Sequence, residues 1–140
     1  MKYWDTSAIL PLLLDEARTP GVQALYEEDS DLAVWCLTLV EAASALARRS
    51  RKRFEADALE IARVELERLA ESWTEVSSVG SVRSRALRLL NTHPLGAADA
   101  LQLGAALVAS EERPESFPFV CLDDRLRDAA RNEGFKILPP

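Results

Sequence analysis

Four acidic residues lie where apolar segments of the chain end or where helical patterns begin. They are Asp5, Glu41, Asp99 and Asp123. Carboxylates that lie close together repel one another, and they stay ionised together only when a cation neutralises them. Carboxylate oxygens are the ligands of hard divalent ions, whereas zinc favours nitrogen and sulfur. If these four residues meet in the fold, they therefore predict a site for Mg²⁺ or Mn²⁺.

Each acid also has a purely structural interpretation. Asp5 and Asp123 could each cap the helix that follows, by accepting hydrogen bonds from its first backbone N–H groups. Thr38 and Glu41 form the pattern T-x-x-E of a capping box, and Asp99 could complement the positive end of a helix dipole. These interpretations stay open for each acid taken singly. They explain four acids at one edge of a fold less easily.

Short strand candidates alternate with helical patterns along the whole chain. The strand candidates are 2–4, 31–36, 73–78, 117–122 and 135–138, and the helix candidates are 6–16, 20–29, 38–53, 54–72, 81–91, 96–110 and 123–134. The strands AVWCL and FVCL are apolar on both faces, which is typical of a parallel sheet covered by helices on both sides. We find neither an internal repeat nor a linker, so we expect a single α/β domain over residues 1–140.

This layout predicts where the acids lie in space. In a doubly wound parallel sheet, strands end and the following helices begin at one edge, and ligands bind in the crevice outside it. Asp5, Glu41 and Asp123 follow three different strands and should share that edge. Asp99, in the first turn of a strongly apolar helix, could join them.

Composition excludes several classes of protein. The chain has 140 residues and a net charge of −6, which does not suit a broadly basic nucleic-acid coat. No apolar run approaches the ~20 residues that span a bilayer, so we expect a cytoplasmic protein without a membrane segment. Cys36 and Cys121 lie in apolar strand candidates, where reduced thiols are expected. The single histidine, His93, lies in a loop candidate without a nucleophile motif.

One short segment is strongly basic. RRSRKR, residues 48–53, contains Arg48, Arg49, Arg51, Lys52 and Arg53. It could follow an RNA backbone or meet an acidic partner, and it could equally be a solvated helix end whose cations complement the helix dipole. Separately, the Leu- and Ala-rich helices favour a homodimer, although much of that surface could be core.

Four stretches resemble, in this order, the successive acidic motifs of PIN domains. They are YWDTSAILPLLLDE, the T-x-x-E at Thr38 and Glu41, HPLGAADALQLGAAL and FVCLDDRLRDAARNEGFKIL. The resemblance covers the whole chain and is strongest to the VapC toxin-like ribonucleases of bacterial toxin–antitoxin pairs. It implies a three-layer α/β/α sandwich on a central parallel sheet, and Mg²⁺- or Mn²⁺-dependent endonuclease cleavage of RNA.

The resemblance also implies roles for the acids and for partners. The catalytic residues would be Asp5, Glu41, Asp99 and Asp123, with Asp5, Asp99 and Asp123 as metal ligands. The partners would be an RNA substrate and a cognate antitoxin protein. A PIN-like scaffold that binds RNA or protein without cleaving is the alternative.

One departure from the family pattern affects the last acid. The family usually has Thr or Ser two places before the last aspartate, and this chain has Cys121 there. The hydroxyl contact expected at the site is therefore weakened. The choice between Asp123 and Asp124 as the last ligand also stays open.

Overall fold

The computed structural model describes residues 1–49 and 55–140. Its centre is a five-stranded sheet, parallel throughout, with the strand order β3-β2-β1-β4-β5. The strands are β1 (Lys2–Trp4), β2 (Leu32–Trp35), β3 (Thr74–Val76), β4 (Phe119–Val120) and β5 (Ile137–Leu138). The first strand of the chain is thus the middle strand of the sheet, and the segments after β2 and β4 flank the segment after β1.

Seven α-helices connect the strands within these ranges. They are α1 (Thr6–Leu13), α2 (Thr19–Glu28), α3 (Thr38–Arg49), α4 (Ala56–Ser72), α5 (Val79–Thr92), α6 (Ala97–Ala109) and α7 (Asp124–Asn132), with a 3₁₀ turn at Pro114–Ser116. Among the described residues, none of these helices combines the length and apolar character needed to cross a bilayer.

Alternate strand residues divide the apolar core into two layers, as the pleat of a strand requires. Trp4, Val34 and Val120 pack in one cluster with buried residues of α1 to α4. Tyr3 and Phe119 pack in the other cluster, with residues of α5, α6 and α7. Helices therefore cover both faces of the parallel sheet, which confirms the predicted α/β class.

The element bounds differ from the prediction at a few places. Strand β4 forms over only two residues of the predicted 117–122, and it begins directly after Pro118, which has no N–H for the ladder. Helix α5 begins two residues earlier than predicted, at Val79. Gly134 follows α7 with φ +101°, the left-handed conformation expected after a helix end. The predicted end of the third helix lies outside the described residues.

Candidate active site

The sheet topology places three of the acids after adjacent strands. Asp5 directly follows the central strand β1, and its N–H donates to the Val120 carbonyl at 3.0 Å. Asp123 comes three residues after β4, and Glu41 lies in the first turn of α3, the helix after β2. All three acids therefore lie at the carboxyl edge of the strands β2, β1 and β4, as the sequence predicted.

Asp5 is a buried helix cap, and its burial disfavours the charged form of its carboxylate. It is 4% exposed, and its Oδ2 accepts from the Ser7 backbone N–H at 3.0 Å and from the Ser7 hydroxyl at 2.5 Å. Burial raises the pKa of Asp5 to about 6; Glu41 and Asp99 add to the rise, and the Ser7 hydrogen bonds oppose it. The capping interpretation of Asp5 is therefore confirmed. The negative charges of Glu41 and Asp99 also act on the same carboxylate.

Asp99 is half-buried in the first turn of α6. Within the described residues, no side chain or backbone group makes a hydrogen bond to its carboxylate. Burial raises the pKa of Asp99. The negative charges of Asp123 and Glu41 raise it further, and the positive charge of Arg125 opposes them. The charge of the Asp99 carboxylate is therefore disfavoured by two of the other acids, Asp123 and Glu41.

Asp123 and Asp124 lie in different surroundings. Asp123 is the N-cap of α7, and its Oδ1 accepts from the Leu126 backbone N–H at 2.9 Å. It is also the acid that raises the pKa of Asp99 most. Asp124, exposed like Asp123, is the first residue of α7, and its side chain makes no hydrogen bond to the described residues. Asp123, and not Asp124, therefore acts on the charge of Asp99.

Glu41 is held by side chains from two other helices. Its Oε2 accepts from the Thr6 hydroxyl at 2.8 Å and from the Gln102 amide at 3.2 Å. A capping box would instead direct this carboxylate to the backbone of Thr38. The Thr38 hydroxyl accepts from Gln102 at 3.1 Å. The side-chain hydrogen bonds of Glu41 thus join α3 to α1 and α6 and do not cap its own helix.

The sequence analysis missed Gln102, which lies at the centre of these contacts. It is fully buried, and its amide nitrogen contacts Thr6, Thr38 and Glu41. A signal was present, because Gln102 is a polar residue inside the apolar helix AADALQLGAALVA. Its position three residues after Asp99 puts both on one helix face. Its partners Thr6, Thr38 and Glu41 lie in other helices, and the spacing of residues within one helix does not predict contacts of that kind.

Cys121 occupies the place of the hydroxyl expected from the family pattern. Its Sγ is 3.5 Å from Oδ2 of Asp5 and 3.6 Å from the Ser7 hydroxyl. Burial raises the pKa of the Cys121 thiol, and Asp5 raises it further. The neutral thiol is thus a weak donor to Asp5, while Ser7 supplies the stronger hydroxyl contact.

The donor set suits a hard cation, although the carboxylates are not arranged around one. Among residues 1–49 and 55–140, no group of three or more His, Cys, Asp or Glu side chains has the arrangement of a metal site. Asp5, Glu41 and Asp123 accept hydrogen bonds from the protein instead. Neighbouring acids still add to the raised pKa values of the buried Asp5 and the half-buried Asp99, and a divalent cation would relieve that repulsion. The carboxylate oxygens are therefore the kind of ligand that Mg²⁺ or Mn²⁺ requires. To bind such an ion together, the carboxylates would have to come closer to one another.

The predicted basic segment is described only at its beginning. Arg49 forms an ion pair with Glu16 at 2.8 Å, and Arg48 donates to the Ser44 hydroxyl at 3.2 Å. The remaining predicted contacts, Arg51, Lys52 and Arg53, lie outside the described residues. Part of the positive charge of this segment is therefore already paired within the chain.

Comparison with known families gives one match. The model of the PIN domain family matches residues 2–132, whereas the comparison with curated proteins gives no match. PIN domains are in general nuclease domains. The matched range contains all four acids and all of the helices and strands except β5. With a parallel α/β sheet that has acids at its carboxyl edge, the chain belongs to the PIN domain family.

Proposed function

We propose that this PIN domain is a metal-dependent endoribonuclease that hydrolyses RNA phosphodiester bonds, and that it is the toxin of a type II toxin–antitoxin pair. The nuclease class follows from the family. RNA as substrate and the toxin role rest on the resemblance of the acidic motifs to VapC-like ribonucleases. Asp5, Glu41 and Asp123 at the carboxyl edge of a parallel sheet, with Asp99 close enough to raise the pKa of Asp5, support a hydrolytic site, because this edge is where α/β folds bind ligands.

One observation carries the proposal. The four acids come from four separate segments of the chain. Burial raises the pKa of Asp5 and of Asp99, and other acids add to both rises: Glu41 and Asp99 act on Asp5, while Asp123 and Glu41 act on Asp99. Such mutual repulsion destabilises the fold unless a bound cation offsets it. Helix caps at scattered positions would not produce it.

The residues divide into two roles in this proposal. Asp5, Asp99 and Asp123 hold Mg²⁺ or Mn²⁺ with their carboxylate oxygens. When bound, such an ion polarises a phosphodiester oxygen and lowers the pKa of a water molecule. Glu41, fixed through Oε2, orients the attacking water with its other oxygen and accepts its proton.

The proposed partners besides RNA are a cognate antitoxin protein and a second copy of the chain. The basic segment that begins at Arg48 would contact either the RNA backbone or an acidic part of the antitoxin. Large apolar side chains on the surface, such as Val40 of α3 and Ile61 and Val64 of α4, each more than half exposed, give protein partners an apolar area to cover.

A cleavage assay with a metal control tests the proposal. Purified protein, freed of metal and of any co-purifying peptide, is incubated with a mixed RNA pool with Mg²⁺, with Mn²⁺ or with chelator alone. Cleavage with either ion, its loss with chelator and its loss in Asp99→Asn support the proposal. Equal cleavage by wild type and Asp99→Asn contradicts it, since a contaminating nuclease would give that result.

A non-catalytic scaffold that binds RNA or protein is the second candidate. It is favoured by the hydrogen bonds that occupy Asp5, Glu41 and Asp123, and by the thiol of Cys121 where the family pattern has a hydroxyl. RNA binding without metal-dependent cleavage in the same assay, unchanged in Asp99→Asn, would identify the protein as such a scaffold.

A further inference from the structure

The side chain of Gln102 joins four segments of the chain in the buried interior beside the acids. Its amide nitrogen is 3.1 Å from the hydroxyl oxygens of Thr6 and of Thr38, and 3.2 Å from Oε2 of Glu41. Its carbonyl oxygen accepts from the Tyr3 hydroxyl at 2.6 Å. Strand β1 and the helices α1, α3 and α6 are therefore connected through one amide.

Tyr3 fixes which way this amide points. The Tyr3 ring is fully buried and its pKa is raised well above the usual value, chiefly by burial, so the hydroxyl keeps its proton. This protonated hydroxyl donates to the Gln102 carbonyl oxygen at 2.6 Å. The two amide N–H groups then face three acceptors, on Thr6, Thr38 and Glu41, so at least one N–H is shared between two of them.

The two oxygens of Glu41 differ as a result. Oε2 receives the Thr6 hydroxyl proton and a Gln102 N–H, whereas Oε1 accepts no hydrogen bond from the described residues. From this asymmetry we infer that Gln102 is a positioning residue for Glu41, which with Thr6 anchors Oε2 so that Oε1 faces the reacting water.

A merely structural role explains the same contacts less well. A buried amide must be desolvated, and a leucine at this position of an apolar helix would avoid that cost. The amide instead lies where its donors meet a carboxylate of the site. The inference rests on the proposed function, because Glu41 is a catalytic residue only if the protein cleaves RNA.

A double-mutant cycle on the cleavage rate tests whether Gln102 acts through Glu41. Gln102→Met removes the amide at similar length, and we expect kcat to fall by roughly 10- to 100-fold, the usual effect of losing such a supporting contact. KM should hold, because RNA binding is untouched. In the Glu41→Gln background the same change should cause no further loss.

The exposed part of the chain offers a matched control. Gln23 donates to Glu27 at 3.2 Å on the surface of α2, so Gln23→Met removes the same kind of amide–carboxylate contact away from the site. It should leave kcat unchanged. A Gln102→Met protein that is folded by circular dichroism and retains wild-type kcat overturns the inference, as does an equal loss in both Glu41 backgrounds.

Thr6 provides a second pair of variants. Thr6→Ser keeps the hydroxyl that donates to Glu41, and Thr6→Val replaces it with a methyl group of similar size. We expect Thr6→Ser to retain kcat within about twofold, while Thr6→Val falls as Gln102→Met does. Equal kcat values for the Ser and Val variants would contradict the anchoring of Oε2.

A readout without metal or RNA separates this inference from the proposed function. In ¹⁵N-labelled, metal-free protein the Gln102 side-chain amide should give resonances that shift in Glu41→Gln and stay unchanged in Asp124→Asn. If these shifts occur but wild type never cleaves RNA, the proposed function fails and the Gln102–Glu41 contact stands. If Glu41→Gln leaves the resonances unchanged, the contact is absent and the inference fails.

Discussion

Asp5 combines two roles that the sequence presents as alternatives. It caps α1 through Ser7, and, besides burial, the charges of Glu41 and Asp99 raise its pKa. A strand-ending aspartate before a helix predicts both roles, because the carboxyl edge of a parallel sheet is also where helices begin. The contacts of Gln102 could not be predicted in this way, since they join residues far apart in the sequence.

The raised pKa of Asp5 predicts a particular pH dependence of stability in the metal-free protein. An unfolded Asp titrates near 3.9 and folded Asp5 at about 6, so the folded state binds more protons between these values. The free energy of unfolding should therefore fall by about 3 kcal/mol as pH rises from about 4 to about 6.

Asp5→Asn should remove this contribution and make the metal-free protein more stable at neutral pH. The measurement is urea unfolding of wild type and Asp5→Asn from pH 4 to pH 8, compared as a difference so that other titrating groups cancel. Identical pH profiles for the two proteins would show that burial does not raise the pKa of the Asp5 carboxylate.

At the scale of elements, the close approach of α5 and α6 depends on Gly104. A Cβ at Gly104 would lie 2.9 Å from the Val82 carbonyl oxygen and 3.3 Å from the Ala86 nitrogen, both backbone atoms of α5. Helix α6 carries Asp99 and Gln102, so this packing also sets the position of the site. The sequence predicted both helices from their apolar spacing, but their separation depends on atoms that a sequence pattern does not contain.

Gly104→Ala should therefore destabilise the fold by roughly 1–3 kcal/mol, the usual cost of overpacking. Gly80→Ala is the matched control, because Gly80 lies in α5 with nothing within 4 Å of its added Cβ. There, the better helix propensity of alanine should stabilise the protein by roughly 0.5–1 kcal/mol. Chemical denaturation of the three proteins checks both signs, and equal stabilities of the two variants would contradict the close packing.

The basic segment predicts how RNA binding depends on salt. If it contacts phosphates, log K should fall with log salt by about 0.7 per contact on single-stranded RNA. Replacing Arg49 and Lys52 by Gln should flatten this slope by roughly 1–1.5 units and weaken different sequences similarly. Because Arg49 also pairs with Glu16, the lower end of that range is expected.

A variant with the same change in net charge serves as the control for salt dependence. Arg113 and Arg131 are exposed and pair with Glu111 and Asp128, away from the basic segment in sequence. Arg113→Gln/Arg131→Gln should leave the salt slope as in wild type. If both double variants flatten the slope equally, net charge rather than a phosphate contact determines RNA affinity. If Arg49→Gln/Lys52→Gln instead loses an acidic protein partner, the segment binds that partner.

For the whole molecule, the fold class was more predictable than the site. Apolar strands alternating with helices predicted the parallel sheet, and the edge rule then placed Asp5, Glu41 and Asp123 together. The orientation of each carboxylate depends on local donors such as Ser7 and Thr6, and neither was expected to direct a carboxylate. A metal-competent arrangement therefore requires these hydrogen bonds to be exchanged for metal contacts.

The binding of Mn²⁺ to the folded protein tests this account most directly. A ligand that binds only the folded state stabilises it by about 2.7 kcal/mol at one hundred times its dissociation constant, so Mn²⁺ should raise the melting temperature of wild type. Asp99→Asn should lose this shift, and Asp124→Asn should keep it. An unchanged shift in Asp99→Asn would contradict a shared metal site, and loss in Asp124→Asn with retention in Asp123→Asn would contradict the assignment of Asp123.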